Sequence, residues 1–177
     1  MKKLSALNRF EQLDQQLENQ LKILATQDDQ LLFKSPGPGE WSPIQVLQHL
    51  LLSERGSLNY LKKKISSGLQ AIPPATLLTS VRFLLFRAFL ALPIKVKAPK
   101  AISEESFPEV DSIDAVADEY HKLRQDFKAL LTSLPEEAFS LEIFRHPRAG
   151  KITLAGLIQF FELHFKRHEK QIQRALK

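Results

Sequence analysis

At 177 residues, with 44% hydrophobic and 25% charged side chains, the chain has the make-up of one folded domain over residues 1–177, able to bury roughly 70% of its unfolded surface, which excludes a disordered polymer. The absence of cysteine excludes disulfides, thiolate nucleophiles and cysteine-type zinc sites, leaving His, Asp and Glu as the ionic metal ligands. A net charge of +5 is mild for this length, and its basic residues read as spread among acidic ones, so no nucleic-acid partner is expected.

The start, Met1-Lys2-Lys3-Leu4, has the charge of a signal peptide, but Asn8, Arg9 and Glu11 interrupt any apolar core, so no export signal is expected. Leu7, Phe10, Leu13, Leu17, Leu21 and Leu24 recur at three- and four-residue steps and predict an amphipathic helix that ends before Pro36. Pro36-Gly37-Pro38-Gly39 forms a tight connection. Ser42, Pro43 and Gln45 then make a capping box with proline at the first helical position, and Trp41 and Val46 are spaced as a hydrophobic staple.

On that second helix, a step of 100° per residue puts Gln45, Val46, Ser53, Gly56 and Tyr60 on the face of His49, a surround more polar and less bulky than a core stripe. Glu54 falls about 140° away and is not counted as a ligand. Gly68 and Pro73-Pro74 end the helix. Leu77 to Leu92 predicts a further helical segment, apolar nearly all round, that carries Arg82 and Arg87 and falls short of the ~20 apolar residues of a membrane span. It reads as an arm packed across neighbouring helices or in a subunit contact. The alternative, attachment to a membrane surface through Arg82, Arg87, Lys95, Lys97 and Lys100, is less favoured because most of these basic residues follow the helix. A cytoplasmic protein is expected.

Pro93 to Pro108 reads as a long loop. Asp111 and Ser112 open a third long helix with Ile113, Val116, Tyr120, Leu123, Phe127 and Leu131 in period, and His121 lies off this line, toward solvent. An irregular stretch runs from Pro135 to Lys151, and Thr153 caps the last helix. There His164 and His168, four residues apart, share a face with Leu157, Phe160, Phe161 and Gln171 while Lys166, Arg167 and Glu169 turn away. The pair supplies two metal ligands; a site needs a third, for which His49 is the candidate. Inward imidazoles can equally be satisfied by water and backbone without metal.

Trp41-Ser42-Pro43-Ile44-Gln45-Val46-Leu47-Gln48-His49-Leu50 resembles the tryptophan-to-histidine segment of the DinB-like (YfiT-like) superfamily of metal-dependent enzymes. His146-Pro147-Arg148-Ala149-Gly150-Lys151-Ile152-Thr153-Leu154, followed by His164-Phe165-Lys166-Arg167-His168-Glu169-Lys170-Gln171-Ile172, resembles its C-terminal signature, in the same order and spacing. Arg148-Ala149 departs from the bulkier pair associated with that loop. The resemblance implies an all-α fold, a four-helix bundle with a long crossover and, here, an extra helical segment between the second and third helices. It also implies a divalent metal, nickel or zinc, held by His49, His164 and His168, and a homodimer.

On that basis the expected function is a metal-dependent hydrolase or a transferase using a low-molecular-weight thiol, acting on a small-molecule substrate. No general base is evident. Gln45, Ser53, Tyr60, His146, Phe160, Phe161 and Gln171 are expected to line the pocket, with His146 equally suited to anchoring its loop through backbone hydrogen bonds. The rival expectation is a non-catalytic bundle that binds a small ligand or partner, its metal structural or absent. Free imidazoles titrate near pH 6.5, so protons are expected to compete with the ion as the pH falls from about 7.5 to 5.5.

Overall fold

Four segments hold an apolar stripe at helical period for more than twenty residues, and these become the four long helices of the chain. The computed structural model describes residues 2–92, 94 and 96–177; Met1, Pro93 and Lys95 of the sequence reading lie outside the described residues. Six α-helices are formed there: α1 (Lys3–Ala25), α2 (Asp29–Phe33), α3 (Pro43–Ser66), α4 (Leu77–Ala91), α5 (Ile113–Ser133) and α6 (Leu154–Ala175). The long ones pack with α1 and α3 each against both α5 and α6, so the fold is all-α. Phe10, Leu13 and Leu17 of α1, Leu47 and Leu61 of α3, Phe127 of α5 and Phe161 of α6 are buried at the centre. Phe127 lies 5.5 Å from Phe10 and 5.5 Å, edge-on, from Phe161. Burying each such side chain contributes about 1.5–3 kcal/mol.

Ser42 starts α3 as expected: its hydroxyl accepts from the Gln45 amide, and the Gln45 side chain accepts from the Ser42 amide. These bonds satisfy helix-end donors that would otherwise be buried unpaired. Ser42→Ala should therefore lower the unfolding free energy by about 1 kcal/mol, read as a shift in the urea midpoint.

Residues 67–112 connect α3 to α5 and hold α4. That helix lies across α6 and the hairpin behind it. Within the loop expected from Pro93 to Pro108, the described residues form two 3-10 turns, Lys100–Ile102 and Glu104–Ser106. The stretch expected to be irregular, from Pro135 to Lys151, contains a 3-10 turn (Glu136–Ser140) and most of an antiparallel hairpin of β1 (Phe144–His146) and β2 (Gly150–Ile152), paired Phe144 to Ile152 and His146 to Gly150. Three-residue strands are too short to carry a readable alternation. Gly150 closes the turn at φ +70°, a left-handed conformation that favours glycine.

A buried ion pair joins α3 to α5. Arg124 Nη2 donates to Glu54 Oε1 at 2.9 Å, both side chains nearly sealed from solvent, with Asp14 3.8 Å from Nη1. The guanidinium carbon sits 5.2 Å from the ring centre of Phe10, a cation–π placement. Burial pushes the Glu54 carboxyl above its usual range even against the Arg124 charge. Removing one partner strands the other charge in the core, so Arg124→Met should destabilise by about 3–5 kcal/mol. The double variant Arg124→Met/Glu54→Leu should recover much of that loss in the same urea titration, because no buried charge is left unpaired.

Candidate metal centre

The capped start of α3 sets the rotation of that helix, and with it the direction of His49, two turns in. On α6, Thr153 caps the first turn by accepting from the Gly156 amide at 2.9 Å, and the i, i+4 spacing then stacks His164 and His168 on one face. Because α3 packs on α6, the three imidazoles meet. All are buried, and one nitrogen from each lies within 4.8 Å of the others. Nε2 of His49 is 3.2 Å from Nε2 of His164, and the His164 and His168 rings stand perpendicular with centres 4.6 Å apart.

The outer nitrogens decide which way the lone pairs point. His49 Nδ1 lies 2.7 Å from the Ile102 carbonyl, which only accepts, so Nδ1 carries the proton and Nε2 offers its lone pair inward. His168 Nδ1 likewise donates to Gln171 Oε1 at 2.9 Å, freeing Nε2 on that ring. These outer-nitrogen bonds are the arrangement that orients histidine ligands around a cation. Two ligands about 2.1 Å from a tetrahedral ion stand about 3.4 Å apart, close to the His49–His164 separation. The three histidines therefore form a donor set that could hold a metal ion.

Electrostatics keep the rings in the ligating form. Burial lowers the pKa of His49, working against the bond to Ile102 that raises it. His164 is held well below the ordinary imidazole value, first by burial and then by the neighbouring His168 and His49. His168 is lowered to about 3, again chiefly by burial. Neutral imidazole is the form that binds metal, so the protein has removed the proton before an ion arrives. The proton competition near pH 6.5 expected for free imidazoles is thereby displaced to more acid pH.

Other expected site residues divide. Phe160 stacks flat on His164, centres 5.0 Å apart and planes 19° from parallel, and Gln171 orients His168. His146 is wedged between Phe86 and Phe160, each 4.6 Å away, and its Nδ1 accepts the Arg148 and Ala149 amides. It thus holds the hairpin turn one ring removed from the cluster. Burial, followed by the Arg148 charge, lowers its pKa to about 4. Gln45 is engaged in the helix cap and with Glu104, and Ser53 accepts through its carbonyl from Ser57. Tyr60 packs edge-on against Phe144, whereas Phe161 faces Phe127 in the core.

Three contributors escaped sequence reasoning. Trp41, spaced as a staple, lays its ring 4.9 Å from His49 and is backed by Phe107 at 5.4 Å. Ile102 acts through its carbonyl, which no side-chain pattern announces. Arg167, read as outward, donates to the carbonyls of Leu90, Leu92 and Ile94 and ties the end of α4 to the helix carrying His164 and His168. His121 pairs with Glu18 at 2.8 Å on the surface, away from the cluster.

Comparison with known proteins adds one match. A family model described as the DinB superfamily covers residues 12–172 of the chain, which includes all three clustered histidines. No curated protein and no solved structure matches it.

Proposed function

Since the chain belongs to the DinB superfamily, we propose that it is a metal-dependent enzyme, a hydrolase or a small-thiol transferase, in which His49, His164 and His168 hold one divalent ion, nickel or zinc. The observation that carries this reading is the pair of outer hydrogen bonds, from His49 to Ile102 and from His168 to Gln171, which turn lone pairs toward a common point. A divalent ion there supplies Lewis acidity, making a water or thiol acidic near neutral pH.

The chain's own residues do the rest. Three protein ligands leave a position for substrate. Trp41 and Phe160 form apolar walls against His49 and His164, excluding water and strengthening charge interactions within. Ile102 and Gln171 hold two rings in one tautomer, so the ligands are oriented before binding. A homodimer in the cytoplasm is the assembly proposed with this reading.

The burial of all three imidazoles favours a second reading, a closed structural ion in a non-catalytic bundle. The two separate on one experiment. Metal-stripped protein, reloaded with zinc or nickel, is assayed against panels of activated esters and of small thiols with electrophiles. Turnover that appears with one equivalent of metal and disappears with chelator supports the enzyme. Stoichiometric metal with no turnover on any panel supports the structural ion.

A further inference from the structure

The helix α4 is apolar nearly all round because it has two apolar faces. Phe83, Phe86, Phe89 and Leu90 lie toward the core, joined to it by direct packing. The opposite side bears Leu77, Leu78, Val81, Leu84 and Leu85, which fall within about 120° of arc at 100° per residue. Leu77 is 81% exposed, Leu85 67% and Leu84 61%. Leu92, Ile94 and Val96, beyond the end of the helix, are exposed as well. Contiguous exposed apolar surface of this kind marks a binding face.

Charge identifies what the ridge meets. Between Glu54 and Glu104 the sequence contains nine Lys and Arg and no Asp or Glu, leaving 16 basic against 20 acidic residues in the rest of the chain. The basic residues are thus segregated, not spread as overall composition suggested. By helical rotation the exposed Arg87 lies about 120° from the ridge centre, whereas Arg82 turns back to the hairpin and donates to the Lys151 carbonyl. Lys97 and Arg148 stand near its far end, Arg148 donating to the Lys97 carbonyl. An apolar stripe edged by cations is the pattern of a helix lying in a bilayer interface, chains in the acyl boundary and basic groups at the phosphates.

A second copy of the chain fits this face less well. A twofold contact through α4 would set the same basic edges against each other, with no acidic residue on the segment to pair with them. Nor does α4 span a membrane: no helix among the described residues is long and apolar enough to do so, and fifteen residues rise only about 22 Å.

We propose that α4 docks the protein on an anionic phospholipid surface, with Leu77, Leu78, Val81, Leu84 and Leu85 entering the interface and Arg87 and Lys97 contacting headgroup phosphates. The test is co-flotation of the full chain with vesicles of phosphatidylcholine, with and without phosphatidylglycerol, at low and high salt. Expected are binding to the phosphatidylglycerol vesicles alone, loss of that binding at high salt, and more than tenfold weaker binding for Arg87→Glu, since each basic group at an anionic surface is worth roughly fivefold. Leu84→Glu/Leu85→Glu should abolish binding while leaving melting temperature and metal content unchanged, both positions being exposed and outside the histidine cluster. The proposal is overturned by failure to bind either vesicle, by equal and salt-insensitive binding to both, or by undiminished binding of the double variant. A dimer in sedimentation that the double variant dissociates, with no vesicle binding, would also overturn it and assign the ridge to a second copy.

Discussion

His164→Ala should lose more than about a hundredfold in affinity for zinc or nickel, because two imidazoles on separate helices make a poor remainder of a three-ligand site. Of the three rings His164 is the most informative to remove. Its Nε2 approaches His49 at 3.2 Å, its ring stands against His168, and Phe160 stacks on its outer face. Equilibrium dialysis with elemental analysis reads the loss directly, and circular dichroism checks that the helices persist. His121→Ala is the control, since that ring pairs with Glu18 at the surface, and it should keep full metal content. The rise in melting temperature that added metal produces in the wild type should vanish in His164→Ala, because an ion stabilises only the state that binds it. Stoichiometric metal retained by the His164→Ala protein would rule out the three-histidine assignment.

Metal affinity of the folded chain should change little between pH 7.5 and 5.5. A site of three free imidazoles with ordinary pKa near 6.5 would lose about a thousandfold over that interval, since each ring must shed its own proton to bind. Here burial lowers all three, His168 to about 3, so the folded protein holds fewer protons for an ion to displace than free imidazoles would. The penalty appears in folding instead. Below about pH 6.5 the unfolded chain takes up protons that the buried rings refuse, so stability is complete above that pH and falls as the solution becomes more acid. His146, lowered to about 4, adds to the same slope. Each such histidine removes roughly 1.4 kcal/mol per pH unit until its folded pKa is reached. Metal titrations at several pH values, run beside thermal melts of the metal-free protein, should give a flat affinity and a falling melting temperature. A thousandfold drop in affinity by pH 5.5 would mean that the imidazoles are solvated and the centre is not preformed.

Much of the fold was legible because its determinants are local. The stripe from Leu7 to Leu24, the Ser42 box, the Ser112 and Thr153 caps and the apolar segment from Leu77 to Leu92 each depend on residues within about four positions of one another, and each became a helix, the last ending at Ala91. The same locality put His164 and His168 on one face and gave His49 its rotation on α3. By contrast, the sequence could set Glu54 aside as a ligand but could not show that it meets Arg124 across the core. The hairpin at 144–152 hid because its strands are too short for a period.

What the sequence by itself determined, then, was where α3, α5 and α6 begin and which faces of the long helices are apolar, while the short α2 at Asp29–Phe33 went unread. Only the tertiary structure decided which faces meet, and the site is made at those meetings. The Ile102 carbonyl reaches His49 from 53 residues away, and His164 reaches it from 115. Bonds over such separations are selected by the packing of whole helices, in which many weak side-chain contacts jointly choose one arrangement, so no short window of sequence encodes them. Burial of the imidazoles follows from the same packing, and with it the suppressed charge that keeps three nitrogens ready for an ion.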